Sequence, residues 1–269
     1  MTHQQQTMKT NQSPPENYQQ YFVPVIGKPV AEDLLTKAKL QEGEKVLDVA
    51  CGTGIVARLA REEVGPKSDV EALDINPDMI KVAKSVTPSK KNIKWHVASA
   101  ESIPIKNNSF DVVMCQMGLQ FMDDKETALK EMHRVMNAAG RMLLSVPGPE
   151  APLFKILDDA LEKHIGTEAA MMLKKIFSLY DSEEIKNLMI RSGFHDIKVT
   201  QEKRQMSLPI PKEFFWQYLN STPISMIVSQ ADEKNQNNLK EEVVNKWQQF
   251  VNNGGMRYEQ QITVVTAKK

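Results

Sequence analysis

Asp48, Gly52, Gly54 and Asp74 have the residue types and the spacing of a turn that holds a nucleoside. The apolar stretch around Val46, Leu47 and Val49 reads as a β-strand. It runs into Ala50-Cys51-Gly52-Thr53-Gly54, and a helix opens at once with Ile55, Val56, Leu59 and Ala60 on one face. Gly52 and Gly54 permit a tight turn and a close ligand approach. Asp74 ends a second apolar stretch, where its carboxylate accepts hydrogen bonds from the two hydroxyls of a ribose. Asp48 is costly to bury unless it is hydrogen-bonded, so it either organises the turn or meets a polar, preferably cationic, ligand.

Gly52-x-Gly54-x-x-Ala57 also fits a dinucleotide fingerprint, which makes a nicotinamide-dependent oxidoreductase the first rival reading. Asp48 argues against it. A dinucleotide strand runs apolar to its first glycine and leaves the helix N-terminus free for a pyrophosphate, whereas an acidic turn suits a ligand with a positive sulfonium. A protein that binds the cofactor without catalysis is the second rival, separable only by turnover.

Asp48-Val49-Ala50-Cys51-Gly52-Thr53-Gly54 resembles the glycine motif of class I S-adenosylmethionine-dependent methyltransferases, and further matches follow in order. Glu71 to Met79 resembles their acidic second-strand motif, Ala100-Glu101-Ser102-Ile103-Pro104 the stretch after strand three, Phe110 to Gln116 strand four, and Ala128 to Met136 the helix after it. The subgroup resembled is the small-molecule set that contains the ubiquinone/menaquinone-biosynthesis C-methyltransferases, of methyltransferase type 11.

The resemblance implies S-adenosylmethionine as cofactor and direct in-line methyl transfer to a small-molecule acceptor. Carried over by motif position, Gly52 and Gly54, with Cys51 between strand and turn, line the methionine portion. Asp48 holds the turn or the amino group, and Asp74 the ribose. Ile75 and Met79 flank the adenine, while Ala100 and Glu101 lie near its edge. Ser99 stands where relatives often carry an acidic residue, so a hydrogen bond there lacks charge assistance. Asn137-Ala138-Ala139-Gly140 replaces a usual Pro-Gly-Gly before strand five.

Gln116 and Gln120 border the turn after strand four, at the edge where doubly wound sheets bind ligands. Gln116 is placed with the cofactor and Gln120 with the acceptor; a hydrogen-bonded loop glutamine is the alternative for both. Tyr18 and Tyr21, with Phe22, either fold over the cofactor or anchor the N-terminal segment. Phe215 and Met226 are further candidates for the acceptor pocket, which favours an apolar, uncharged molecule such as a quinone precursor. No residue is singled out as catalytic, because the cofactor supplies the reactive carbon and a general base is optional.

The elements that must position these residues alternate between strand and helix. They predict an α/β fold: a Rossmann-like, seven-stranded, mostly parallel sheet with helices on both faces and a helical lid. Strands are expected at 45–50, 70–73, 93–97, 111–115, 141–146, 196–200 and 262–267, the last inserted antiparallel by family resemblance. A helix spans 30–40, another is opened by Asn76 and Pro77, and a third has Asp123 as N-cap with Glu126 three residues on. A fourth runs from Ser182 to Arg191 with Gly193 as its stop. Residues 1–16, polar and rich in Gln, read as a disordered tail. Residues 17–269 read as a single domain with lid insertions at about 148–181 and 207–256, both of helical spacing.

The 269 residues suffice for a substantial core. The 34 basic and 34 acidic residues cancel, which argues against nucleic acid or a polyanionic substrate. Two cysteines, Cys51 and Cys115, read as buried fillers in a cytoplasmic protein rather than nucleophiles, disulfide partners or metal ligands, and no metal-ligand cluster is evident. No stretch has the length of a membrane span. His96 and His133 read as structural. Oligomeric state is not legible.

Overall fold

A computed structural model describes residues 12–269. The chain forms two compact units where the sequence suggests one domain with insertions. One comprises residues 26–150, 175–204 and 259–269; the other comprises the residues up to Val25 together with 151–174 and 205–258. The second collects most of both proposed insertions. The tail assigned to residues 1–16 lies outside the described residues as far as position 11. From Pro14 the chain is helical rather than disordered: α1 (Pro14–Asn17) starts at Ser13, whose backbone N–H donates to Glu16 in a capping box. A π-helical run, Tyr18–Gly27, follows.

In the sheet unit, α2 (Lys28–Ala38) precedes β1 (Val46–Val49), α3 (Ile55–Val64), β2 (Val70–Asp74), α4 (Pro77–Val86), β3 (Ile93–Val97), β4 (Phe110–Gln116), α5 (Lys125–Val135) and β5 (Met136–Pro147). Helices α6 (Pro152–His164) and α7 (Thr167–Ile176) come next, then α8 (Ser182–Arg191) and β6 (His195–Leu208). After α9 (Pro211–Asn220), α10 (Ile224–Val228), α11 (Glu233–Trp247) and β7 (Val251–Asn252), the chain ends in β8 (Gly255–Lys268). The strand order is β3-β2-β1-β4-β5-β8-β6, with the two-residue β7 paired to β8. β1 to β5 pair in parallel and β8 runs antiparallel to β5, which places the last strand as expected.

Side chains of a strand alternate between faces, so a sheet covered on both sides needs strands that are apolar almost throughout. β1 is buried at all four positions. Val46 joins Val30, Leu34, Ala57, Ala60 and Ile80 on the face of α2, α3 and α4. Leu47 and Val49 join Leu129, Met132, Ile185 and Met189 on the face of α5 and α8.

Local signals place the helix starts. Asn76 accepts from the Asp78 N–H at 2.9 Å and caps α4. At α5 the cap is Asp124, not Asp123: its carboxylate accepts from the Thr127 N–H and hydroxyl at 2.9 and 2.7 Å, so the third helical position is Thr127. β5 begins five residues early, at Met136, and absorbs Asn137–Gly140 through a register shift opposite Phe110 and Val112.

The helical unit is built around Trp247, which is fully buried and donates its indole N–H to the Leu153 carbonyl at 2.8 Å. Phe214 and Phe215 pack on it at ring separations of 5.5 and 6.4 Å. Glu242 joins α11 to α6 by accepting from Lys163 and His164, which with Lys246 hold its carboxyl down to about 2.

Candidate active site

β1 delivers Asp48 to the carboxyl edge of the sheet, and the backbone beyond it takes three left-handed residues in alternation: Ala50 at φ 55°, Gly52 at 53° and Gly54 at 81°. Ala50 carries a Cβ in a region that costs an L-residue about 1–2 kcal/mol, so the surrounding turn must enforce it. Gly54 precedes α3 and has no side chain to cap it. Asp48 fills that role from the strand, accepting the Ala57 N–H at 3.0 Å. That bond is the turn-holding one of the two roles left open for Asp48. Burial, opposed by that hydrogen bond, pushes its carboxyl up to about 8.

Asp74 braces the same turn from β2. One carboxylate oxygen accepts the Gly52 N–H at 2.8 Å and the other the Asn76 N–H at 2.9 Å. A carboxylate offers about four lone-pair positions, so two remain for other donors. Burial raises this carboxyl above its usual range, against those two bonds. The neighbours complete a half-apolar rim: Ile75 is 71% exposed and Met79 half-buried. Val97, register partner of Asp74 on β3, is 56% exposed. Along that face of β3 exposure grows from Ile93 through Trp95 to Val97.

Gly54 also meets protein on its Cβ side. A Cβ there would come within 2.3 Å of the Trp95 indole and 3.4 Å of Arg58 Nη1, so the space a side chain would take is filled by protein rather than left to a ligand. Arg58 donates to the Thr53 carbonyl, and the Thr53 hydroxyl is buried without a partner. None of Trp95, Arg58 and Thr53 stood out in the sequence; each acts through the conformation of the turn.

Ser99 and Glu101 form the third part of the edge. The Ser99 hydroxyl accepts the Glu101 N–H at 3.1 Å, and Glu101 accepts the Asp124 N–H at 3.1 Å, which ties this loop to the start of α5. Ala100 is buried in the core between them. Cys51 and Cys115 are both buried thiols. Burial raises the first well above its ordinary range and pushes the second up to about 12, so neither is a nucleophile near neutrality. His133 packs edge-on against Phe194 and His96 pairs with Glu71 at 2.5 Å, as their structural readings imply.

After β4, Gln116 donates its amide to the Gly27 carbonyl at 3.0 Å and Gln120 to the Met117 carbonyl at 3.0 Å. The side-chain carbonyl oxygens of both glutamines are buried with no hydrogen-bond partner. Buried acceptors without donors are uncommon and mark sites completed by water or ligand. In the helical unit Tyr18 stacks on Phe22 at 4.7 Å, Tyr21 is half-buried and Met226 is 64% exposed on α10. Phe215 corrects an expectation: it is wholly buried against Trp216 and Trp247, a core ring rather than a pocket wall.

This edge, with a glycine turn capped by a strand carboxylate and a second carboxylate at the end of β2, has the arrangement of a Rossmann-like nucleoside site. Comparison with known proteins agrees. Residues 47–144 match the methyltransferase domain family. The demethylmenaquinone methyltransferase of Staphylococcus epidermidis is 34% identical over 178 residues, covering 62% of this chain and 74% of that protein. Among solved structures, the YcgJ protein from Bacillus subtilis superposes with a TM-score of 0.57 at 18% identity, over 89% of this chain and 97% of that one. A phosphoethanolamine N-methyltransferase 2 of Haemonchus contortus, solved with S-adenosyl-L-methionine, gives 0.54 at 19% identity, over 88% of this chain and 52% of that one. The chain belongs to the class I S-adenosylmethionine-dependent methyltransferases and, within them, to the quinone-biosynthesis type. Its cofactor is S-adenosylmethionine and its reaction is methyl transfer to a small molecule. Among the described residues no helix is long and apolar enough to cross a membrane.

Proposed function

We propose that this enzyme methylates a ring carbon of an apolar, hydroxyl-bearing aromatic acceptor of the quinone-precursor type, in the cytoplasm and without a nucleic-acid partner. The observation that carries the acceptor class is the likeness to the demethylmenaquinone methyltransferase over three-quarters of that protein. The buried, unpaired carbonyl oxygens of Gln116 and Gln120 support it, because they call for hydroxyl donors rather than a second set of carbonyls.

In this reading Asp74 accepts the ribose hydroxyls with its remaining lone pairs, while Ile75, Met79 and Val97 present apolar surface to the adenine. The Ser99 hydroxyl, with Ala100 and Glu101, meets the adenine edge. Gly52, Gly54 and Cys51 expose backbone to the methionine portion, and Asp48 fixes their geometry through the Ala57 N–H. The bound cofactor supplies an electrophilic methyl carbon. The protein's part is alignment and exclusion of water. Gln116, expected beside the cofactor, is reassigned here with Gln120 to the acceptor: by accepting a ring hydroxyl they orient it and raise electron density at the neighbouring ring carbon, which gains the methyl as the S–CH3 bond breaks and then loses its proton to solvent, so no strong base is required.

The test is turnover with a water-soluble naphthohydroquinone, read as S-adenosylhomocysteine release and as the methylated ring. The Gln120→Ala variant is expected to lower kcat/KM by about tenfold or more with cofactor Kd unchanged. Tight cofactor binding with no methylation of any hydroquinone tried, or equal losses in turnover and cofactor affinity on Gln120→Ala, rejects this acceptor assignment.

A further inference from the structure

The sheet unit holds a small open cleft of about 90 Å³ between the first half of α2 and the strands β5, β6 and β8. None of its lining residues belongs to the set assigned to the cofactor. Its apolar side is formed by Val30 and Leu34 on α2 and by Ile262 and Val264 on β8, and its other side is polar. Ser145 also lines it, register partner of Val264 on the same face of the sheet. The Ser145 hydroxyl is fully buried and has no hydrogen-bond partner. A buried serine facing valine and isoleucine has no packing advantage over alanine or valine, and leaving its hydroxyl unpaired is costly.

A second orphan lines the same cleft. Arg204 pairs one arm of its guanidinium with Asp33, but its Nε–H is buried with no acceptor. Nε–H can only donate, and a serine hydroxyl is free to donate, so the atom that satisfies both is an acceptor oxygen.

Charge then narrows the ligand. The four ionised lining residues, Asp33, Glu202, Lys203 and Arg204, carry no net charge, and each is paired: Arg204 with Asp33, Glu202 with Lys37 at 2.5 Å, Lys203 with Glu259 at 2.8 Å. No cation is left over for a carboxylate or phosphate.

We propose that this cleft is a second small-molecule site, for a neutral and largely apolar carbonyl compound of one or two rings whose oxygen accepts from Ser145 Oγ and Arg204 Nε. The assignment does not depend on the identity of the methyl acceptor.

The experiment titrates 1-tetralone, a redox-inert bicyclic ketone, into the full chain saturated with S-adenosylhomocysteine, followed by saturation-transfer NMR. Tetralin, the same ring system without the oxygen, is the control. The expected result is saturable binding of the ketone, with tetralin weaker by about tenfold. Ser145→Ala and Arg204→Lys should each weaken the ketone several-fold and leave tetralin unchanged. Arg204→Lys keeps a cation for Asp33 on a partly exposed side chain, so it tests the donor without threatening the fold. Melting temperature and S-adenosylhomocysteine affinity identify any variant that has lost structure. No saturable binding, equal binding of ketone and hydrocarbon, or ketone binding unmoved by Arg204→Lys overturns the proposal.

Discussion

Gly54 of the sheet unit and two glycines of the helical unit share a positive φ and differ in what surrounds them. Gly54, at φ 81° in the sheet unit, faces the Trp95 indole so closely that an added Cβ would come to 2.3 Å of it. Gly166 and Gly254 in the helical unit also have positive φ, yet a Cβ on either would meet nothing within 4 Å. Buried polar atoms without partners occur in both units: Gln116, Gln120, Thr53 and Ser145 in the sheet unit, and the Trp216 indole in the helical unit, whose central Trp247 indole is satisfied by Leu153. The sheet unit carries a braced glycine turn at its carboxyl edge; the helical unit centres on an aromatic core around Trp247. A family that keeps one cofactor and changes acceptors is served by that division.

The largest effect that sharpens the comparison is Phe215→Ala. Removing a fully buried ring beside Trp247 should cost about 3–5 kcal/mol in urea unfolding. Cofactor affinity of the folded fraction should stay within twofold, since the proposed cofactor contacts lie in the sheet unit. Loss of cofactor binding in step with stability would break the division.

Next comes the glycine pair. Gly54→Ala meets both the positive φ and the Trp95 contact and should cost about 2–4 kcal/mol, with a matching fall in cofactor affinity. Gly166→Ala meets only the φ penalty, about 1 kcal/mol, and should leave calorimetric cofactor binding alone. Equal costs at the two sites would show that close approach at Gly54 does not matter.

The last effect is spread over pH rather than lodged at one contact. The Asp48 carboxyl is at about 8 in the fold and near 3.9 in an unfolded chain, so between those values the folded state holds the extra proton. Stability therefore falls as pH rises from about 4 to about 8 and then levels off, by at most about 1.4 kcal/mol per unit for one proton. Asp48→Asn keeps an oxygen to accept from Ala57 and should flatten that part of the profile in denaturation series across pH.

Much of this was legible in the chain itself. Asp48, the glycine turn and Asp74 declared themselves because strand burial makes a carboxylate anomalous and backbone geometry makes glycine necessary. Asn76 and the Ser182–Arg191 helix were readable from caps alone. Where reading fell short, the cause was non-local. Ala50 takes a left-handed conformation that nothing in its residue type signals. Trp95 matters through a glycine forty residues earlier in the chain. Phe215 looked like a pocket ring because a helical stripe of aromatics is the same whether it faces a ligand or Trp247. Asp123 and Asp124 are adjacent acids before one helix, and only the position of Thr127 distinguishes them. The extension of β6 and β8 beyond their predicted ends reflects pairing between strands, which polar residues such as Gln201 to Arg204 do not announce.

The most direct test of the central claim, that the carboxyl edge of β1 and β2 holds the cofactor through Asp74, is a thermodynamic cycle. S-adenosylhomocysteine and its 2′-deoxy analogue are titrated calorimetrically into the wild type and into Asp74→Ala. The account predicts that the wild type loses about 1.5–3 kcal/mol on removal of the hydroxyl, and that Asp74→Ala, weaker for both ligands, loses little more when it is removed. An undiminished penalty in Asp74→Ala would mean that the ribose is held elsewhere and would contradict it.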